Sequence, residues 1–247
     1  MICISLAAIY SIRISKLAFM IVGNGLVASG FSLFDDDRFI IFASGLSNSA
    51  NSENSEFLRE KFLLEKYLRL YREKTFVYFS TCSIYDSTMN RNPYVLHKLN
   101  MESLIQNFKG TYHIFRISNL AGRTKNPHTV LNFFFQHIAS GNPFQVWQKS
   151  FRNIVDIEDA ARTCHHIYSN GLFKNEITNI ANLQNYPVHQ IVKTIEMFLG
   201  KKGNFTFFEK ESNPSIDTTA IENIYLYLGI NFGKEYLENI LTKYYSY

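Results

Sequence analysis

Tyr94 and Lys98 stand four residues apart in "NPYVLHK", downstream of a Ser/Thr cluster that contains Ser80 and Thr81. Four residues are about one helical turn, so on a helix both side chains share a face, and an ammonium there favours the ionised form of a neighbouring phenol. A tyrosine tuned in this way can give or take the proton of an alcohol or ketone while hydride moves to or from a nicotinamide. Any helix can also carry Y-x-x-x-K by chance, so the pair alone leaves catalysis and coincidence both open. Upstream, Gly23-Asn24-Gly25-Leu26-Val27-Ala28 spells G-x-G-x-x-A. The first glycine permits a tight turn, the second lets backbone approach a pyrophosphate, and the small third residue lets helix and strand pack closely. A plain strand-to-helix turn is the alternative.

These residues need elements to hold them. Residues 17–23, "LAFMIVG", and 39–45, "FIIFASG", are short continuous apolar runs ending in glycine, the pattern of strands buried on both faces. "TFVYFS" (75–80) reads as a third buried strand and "YHIFRIS" (112–118) as a fourth strand. Between them, residues 55–73 recur apolar at helical spacing through Phe57, Leu64, Leu68 and Tyr71, and residues 94–108 form a helix started by Asn92-Pro93. Strands alternating with helices predict an α/β fold, a mostly parallel sheet covered on both faces. Beyond Gly122 the rhythm changes: residues 129–141 and 186–200 read as helices, "ITNIA" and "NFTFFEK" as short strands, and 218–247 as two helices about a turn at 229–233. No internal repeat occurs.

The 247 residues, 46% hydrophobic, can bury one core with an appended lobe. A net charge of +4 without a long run of one sign argues against nucleic acid as the main partner. Cys3, Cys82 and Cys164 are odd in number and far apart, so neither a disulfide framework nor a zinc site is expected, and a reducing cytoplasm fits. His165 and His166 are adjacent, point in different directions on a helix, and have no carboxylate at ligand spacing, so no metal is expected. Residues 1–16 are too short an apolar segment to span a bilayer, so no membrane partner is expected; they read as a peripheral strand or helix or a product of start-site choice, with an uncleaved signal segment as the alternative.

One feature departs from a full dinucleotide-binding half. An acid for the ribose hydroxyls is expected about 20 residues after the glycine turn, at the end of a second strand. Here the next strand starts at Phe39 and ends in Ala43-Ser44-Gly45, without an acid. Two strands of the usual order are expected to be missing, and Asp35, Asp36 and Asp37 read as a solvated turn.

The order of glycine turn, "FASG", Ser80-Thr81, Tyr94 and Lys98 resembles the extended short-chain dehydrogenase/reductase superfamily, in its NAD-dependent epimerase/dehydratase branch acting on nucleotide sugars. The resemblance continues through "KLNME" with Glu102, "FRISNLAG", "RNIVDIEDAA", "ITNIANLQNYPVHQIV" and "IDTTAIENIYLYLGI". It implies a Rossmann-like core over 17–123, completed by 150–182, and a smaller substrate-binding lobe from 124–149 and 183–247, with 1–16 as an extension. It implies NAD or NADP against Gly23, Gly25, Leu26, Val27, Ala43, Ser44, Gly45 and Lys98. By the same likeness Tyr94 is the acid/base, Thr81 its hydroxyl partner and Lys98 the ribose ligand. Ser83, Asn119 and Arg152 face a nucleotide-sugar substrate, with Arg152 suited to a diphosphate.

Each residue also has a plain reading: Thr81 capping the strand end, Asn119 closing a turn, Arg152 pairing with Asp156 or Asp159. Sugar 4,6-dehydratases of this branch commonly carry an acidic pair after the Thr81 position, where this chain has Cys82 and Ser83. Ketone reduction or epimerisation at a sugar carbon is therefore expected, in surface polysaccharide synthesis. Trp147 lies where the branch borders the nucleotide base, or in a core. A helix-bundle homodimer is implied by the same likeness. The alternatives are a binding module that kept the fold without turnover and a reductase of a small non-nucleotide ketone.

Overall fold

The computed structural model describes residues 20–46 and 53–246. The extension 1–16, the start of the first strand at 17–19 and most of the "SNSANSENS" loop lie outside the described residues.

Continuous apolar runs build the central sheet. Its strands are β1 (Ile21–Val22), β2 (Phe39–Phe42), β3 (Thr75–Thr81), β4 (Tyr112–Ile117) and β8 (Glu176–Ile180), all parallel, in the order β1-β2-β3-β4-β8. Alternate residues face opposite sides of a strand. Ile41, Val77, Phe79, Phe115 and Ile117 join one buried cluster, and Ile40, Phe42, Phe76, Tyr78 and Ile114 join the other. Both faces are apolar, which is what a covered parallel sheet requires.

The second face is covered by α2 (Asn54–Leu70), through Leu64 and Leu68, and by α3 (Pro93–Gln106), through Met101 and Ile105. α3 starts where the sequence puts a start: the Asn92 side chain accepts the Tyr94 N–H at 2.9 Å, and Pro93 occupies the first turn. The first face receives α1 (Leu26–Gly30) and α5 (Ile157–Ser169). α5 is preceded by β5 (Asn119–Ala121), α4 (Val130–Ser140), β6 (Phe144–Arg152) and β7 (Ile154–Asp156), with β5 and β7 paired in parallel.

Among the described residues no strand lies beyond β1, so the glycine-turn strand is the sheet's edge. In a complete doubly wound fold two further strands lie outside it. Among the described residues the expected shortening is therefore present. Asp35 and Asp36 serve the connecting turn: Asp35 Oδ1 accepts the Met20 N–H at 3.1 Å, and Asp36 pairs with Arg38 at 2.6 Å.

A second sheet, β10-β6-β9, joins β6 to β9 (Tyr186–Pro187) and β10 (Phe205–Ser212), packed with α4 and α6 (Val188–Leu199). The sequence reading did not foresee β6, because "FQVWQKSFR" buries only Phe144, Val146 and Ser150 and exposes polar residues between them. α7 (Glu222–Tyr227) and α8 (Tyr236–Tyr245) are the two expected terminal helices. Lys243 and Tyr244 of α8 reach Asp156 at 2.8 and 2.6 Å, and the Tyr236 hydroxyl donates to Asp159 Oδ2 at 2.8 Å, anchoring the chain end beside α5.

Candidate functional site

A cleft of about 690 Å³ opens at the carboxyl ends of β1 to β4, between the central sheet and the second sheet. Its wall carries Gly25, Leu26 and Val27 from the glycine turn, and Ala43, Ser44 and Gly45 after β2. Thr81 and Ser83 follow at the end of β3, with Tyr94 and Lys98 from α3, Asn119 from β5, and Trp147 and Arg152 from β6. Residues up to 127 positions apart in sequence thus meet in one place. Gly23 stands just behind the wall at φ +129°, and a Cβ there would lie 2.4 Å from the Ala43 carbonyl oxygen. That position accepts glycine alone.

Tyr94 and Lys98 do share a face: both are buried, and the Lys98 ammonium lies 5.9 Å from the centre of the Tyr94 ring. Thr81 Oγ1 accepts the Ser83 N–H and donates to Ser83 Oγ, both at 3.0 Å, so it caps the short turn after β3 while lining the cleft. Cys82 is buried, its thiol pointing to the Arg116 carbonyl at 3.1 Å, and burial pushes its pKa up. It fills space at the strand end.

Lys98 is held by the protein itself. Its Nζ donates to Glu60 Oε1 at 2.9 Å, to the Tyr78 hydroxyl at 3.2 Å and to the Phe79 carbonyl at 3.4 Å, one acceptor for each ammonium proton. Glu60 is fully buried and also accepts the Tyr78 hydroxyl at 2.7 Å and the Leu46 N–H at 2.7 Å, with His97 Nε2 at 3.1 Å. Burial pushes the Glu60 carboxyl upward, but the Lys98 charge and the bonds from His97, Leu46 and Tyr78 outweigh it and hold the group well below the usual carboxylate range. A Cβ at Gly45 would come within 2.6 Å of Lys98 Nζ, so this loop closes directly over the ion pair. Glu60 was not among the residues singled out by sequence. It lies four residues before Leu64 and eight before Leu68, on the buried stripe of α2, and that spacing is the signal that marks it.

On the opposite wall, Arg152 pairs with neither Asp156 nor Asp159. Its Nη1 donates to the Phe151 carbonyl at 2.7 Å and to Ser212 Oγ at 3.3 Å, and its guanidinium lies 4.9 Å from the Trp147 ring. Burial lowers its pKa, opposed by the charge of Asp86. Ser212 donates to Asp86 Oδ2 at 2.6 Å, which links the second sheet to the turn after β3. Burial raises the Asp86 carboxyl, but bonds from Ser212 and Thr88 outweigh it and keep the group ionised. Lys210 covers the Trp147 ring at 3.8 Å, so the tryptophan carries two cations and is not a core residue. Asn119 Nδ2 donates to the Asn153 carbonyl at 2.7 Å and secures the β5 turn at the cleft's rim.

A model of the NAD dependent epimerase/dehydratase family matches residues 39–181, which is more than half of the chain. The chain belongs to this family. The match begins at β2 and ends after β8, so it spans Thr81, Tyr94, Lys98, Asn119 and Arg152 and leaves out the glycine turn.

Solved structures of the epimerase/dehydratase type share the fold at low identity. The Thermotoga maritima UDP-glucose 4-epimerase with UDP-glucose is 19% identical, with 87% of this chain and 82% of that chain covered at a TM-score of 0.62. The Bacillus cereus UDP-glucuronic acid 4-epimerase, in complex with UDP-glucuronic acid and NAD, is 17% identical over 79% of this chain and 70% of that one, at 0.61. The Bacillus anthracis dTDP-glucose 4,6-dehydratase in complex with NAD is 16% identical over 68% and 61%, at 0.56. No curated protein matches the chain significantly. The described part of this family member contains no helix long and apolar enough to cross a membrane.

Proposed function

We propose that this family member is a NAD(P)-dependent oxidoreductase of nucleotide-linked sugars, of the epimerase or ketone-reductase type. The observation that carries the reading is the meeting of Tyr94, Lys98 and Thr81 with the glycine turn on one side of a single cleft and with Arg152 and Trp147 on the other. The wall fits such a cofactor: a Cβ at Gly25 would meet nothing within 4 Å, which leaves open space against the turn's backbone. NAD or NADP, when bound, supplies the acceptor and donor of hydride. Tyr94 exchanges the proton of the sugar oxygen at its phenol, with the Lys98 ammonium as a fixed positive charge beside it. Thr81 holds the same sugar oxygen through its hydroxyl, with Ser83 and Asn119 beside it. Arg152 binds the diphosphate, and Trp147 lies against the base.

In this reading residues 17–123 with 150–182 hold the cofactor, and 124–149 with 183–247 hold the sugar nucleotide. Cys82 and Ser83 supply no carboxylic acid for elimination of water, which disfavours 4,6-dehydration. The setting is cytoplasmic synthesis of a surface polysaccharide. A second reading, a binding module without turnover, is favoured by two observations: β1 is the sheet edge among the described residues, and all three Lys98 donors are bound within the protein.

Calorimetric titration with NAD(H) and NADP(H), with and without UDP- or dTDP-hexoses, separates the two. Micromolar cofactor binding followed by hydride exchange with a nucleotide sugar is expected. Absence of binding of every form would leave the binding module standing.

A further inference from the structure

The glycine-turn end of the cleft carries a cation, and no acid of the kind dinucleotide sites commonly place near their glycine turn lines it among the described residues. Asp35 and Asp36 are occupied by Met20 and Arg38 and do not line the cleft. Asp86, the one carboxylate on the described wall, sits across the cleft with Ser212. Arg59 of α2 reaches over the loop after β2 instead. Its Nη1 donates to Ser44 Oγ at 3.2 Å, its Nη2 to the Ser44 carbonyl at 3.3 Å, and its Nε to Glu56 Oε2 at 3.0 Å. Ser44 in turn abuts the glycine turn, since a Cβ at Gly23 would lie 2.9 Å from the Ser44 nitrogen.

We propose that Arg59 binds a phosphate of the dinucleotide cofactor, an assignment that rests on the cofactor reading above. A guanidinium has five N–H groups in a planar fork. Three are engaged by Glu56 and Ser44, which hold the fork in place, and the remaining two have no acceptor among the described residues and can take phosphate oxygens in charge-assisted bonds. The helix after the glycine turn is only five residues long, so its dipole gives a phosphate little help and a fixed side-chain charge does the neutralising. With no carboxylate among the described residues that line that wall, and Glu56 on the far side of the fork at Nε, the same charge tolerates a phosphate on the ribose as well as the pyrophosphate common to both cofactors.

The test is fluorescence titration of NADH and NADPH with the wild type, Arg59→Met and Arg59→Lys at low and high salt. Arg59→Met is expected to weaken binding about ten- to a hundred-fold and to flatten its salt dependence, and Arg59→Lys to recover part of the loss. Equal losses for both cofactors assign the phosphate to the pyrophosphate, and a loss confined to NADPH assigns it to the ribose 2′-phosphate. Binding of both within twofold of the wild type in Arg59→Met overturns the proposal. Failure of the wild type to bind either cofactor overturns the cofactor reading itself, a result distinct from a failure of Arg59 alone.

Discussion

Lys98 gives its shortest hydrogen bond to Glu60, Nζ to Oε1 at 2.9 Å, and both side chains are out of reach of solvent. Two opposite charges buried together offset each other's desolvation, whereas one left alone is strongly destabilising, by about 3–5 kcal/mol. Glu60→Ala is therefore expected to lower unfolding stability by about that much in urea, and a Glu60→Leu/Lys98→Met double variant to lose less than the sum of its singles. The Glu60 carboxyl is depressed in the folded state, so its contribution is complete above its unfolded value near 4.5 and is lost as the pH falls below it. Additive losses in the double variant would show that the pair is not coupled.

The two glycines of the turn do different work, and substitution separates them. Gly23 is held at φ +129° against the Ala43 backbone, so Gly23→Ala strains the edge of the sheet and is expected to lower the melting temperature. The Gly25 Cβ position faces open space, so Gly25→Val is expected to keep the wild-type melting curve and lose cofactor binding. Wild-type affinity in Gly25→Val would place the cofactor elsewhere.

The parts of this architecture that were legible share a cause. β2 and the core of β3 are buried on both faces and read as apolar runs, β4 keeps enough apolar residues around His113 and Arg116 to read as a strand, and Tyr94 and Lys98 lie within one helical turn of each other. The residues that escaped notice owe their roles to distant partners. Glu60 resembles the solvated charges around it on α2, and its partners His97 and Lys98 are 37 and 38 residues away. Asp86 gains its partner Ser212 from 126 residues on, and β6 is half exposed and so lacks an apolar run.

His113 sits inside β4, 1% exposed, and neither ring nitrogen has a well-formed hydrogen bond among the described residues. Burial first, and the charge of Lys174 second, push its pKa down to about 4 from 6.5. Between those values the unfolded chain binds more protons than the folded one, so stability falls as the pH drops from 6.5 towards 4, by at most about 3 kcal/mol. Urea unfolding of wild type and His113→Phe across this range is expected to show a steeper slope in the wild type, over the carboxylate-driven loss common to both. Parallel curves would remove His113 from the pH dependence.

Leu58, Phe62, Leu96 and Leu99 expose apolar surface on α2 and α3, beside a groove of about 510 Å³ lined by both helices. Such a patch is costly in water, and pairing with a second copy through a four-helix contact would cover it. Light scattering is expected to give twice the chain mass for the wild type and the chain mass for Phe62→Asp, since Phe62 is 65% exposed and its replacement leaves the monomer's core intact. A monomeric wild type would sink the dimer.

Tyr94→Phe removes one oxygen from a ring packed beside Lys98 and leaves the cleft's shape unchanged. If the phenol moves the proton of the sugar oxygen, turnover of the nucleotide sugar that the wild type accepts is expected to fall about 10²- to 10⁴-fold while cofactor affinity stays within a few-fold. Thr81→Ala is expected to lower kcat less, because its hydroxyl is also committed to the Ser83 turn and only shares in holding the sugar oxygen. The measurement is steady-state kinetics with cofactor titration on the same preparations. A Tyr94→Phe variant with unchanged kcat would assign the proton transfer to another group and leave Tyr94 as packing for Lys98.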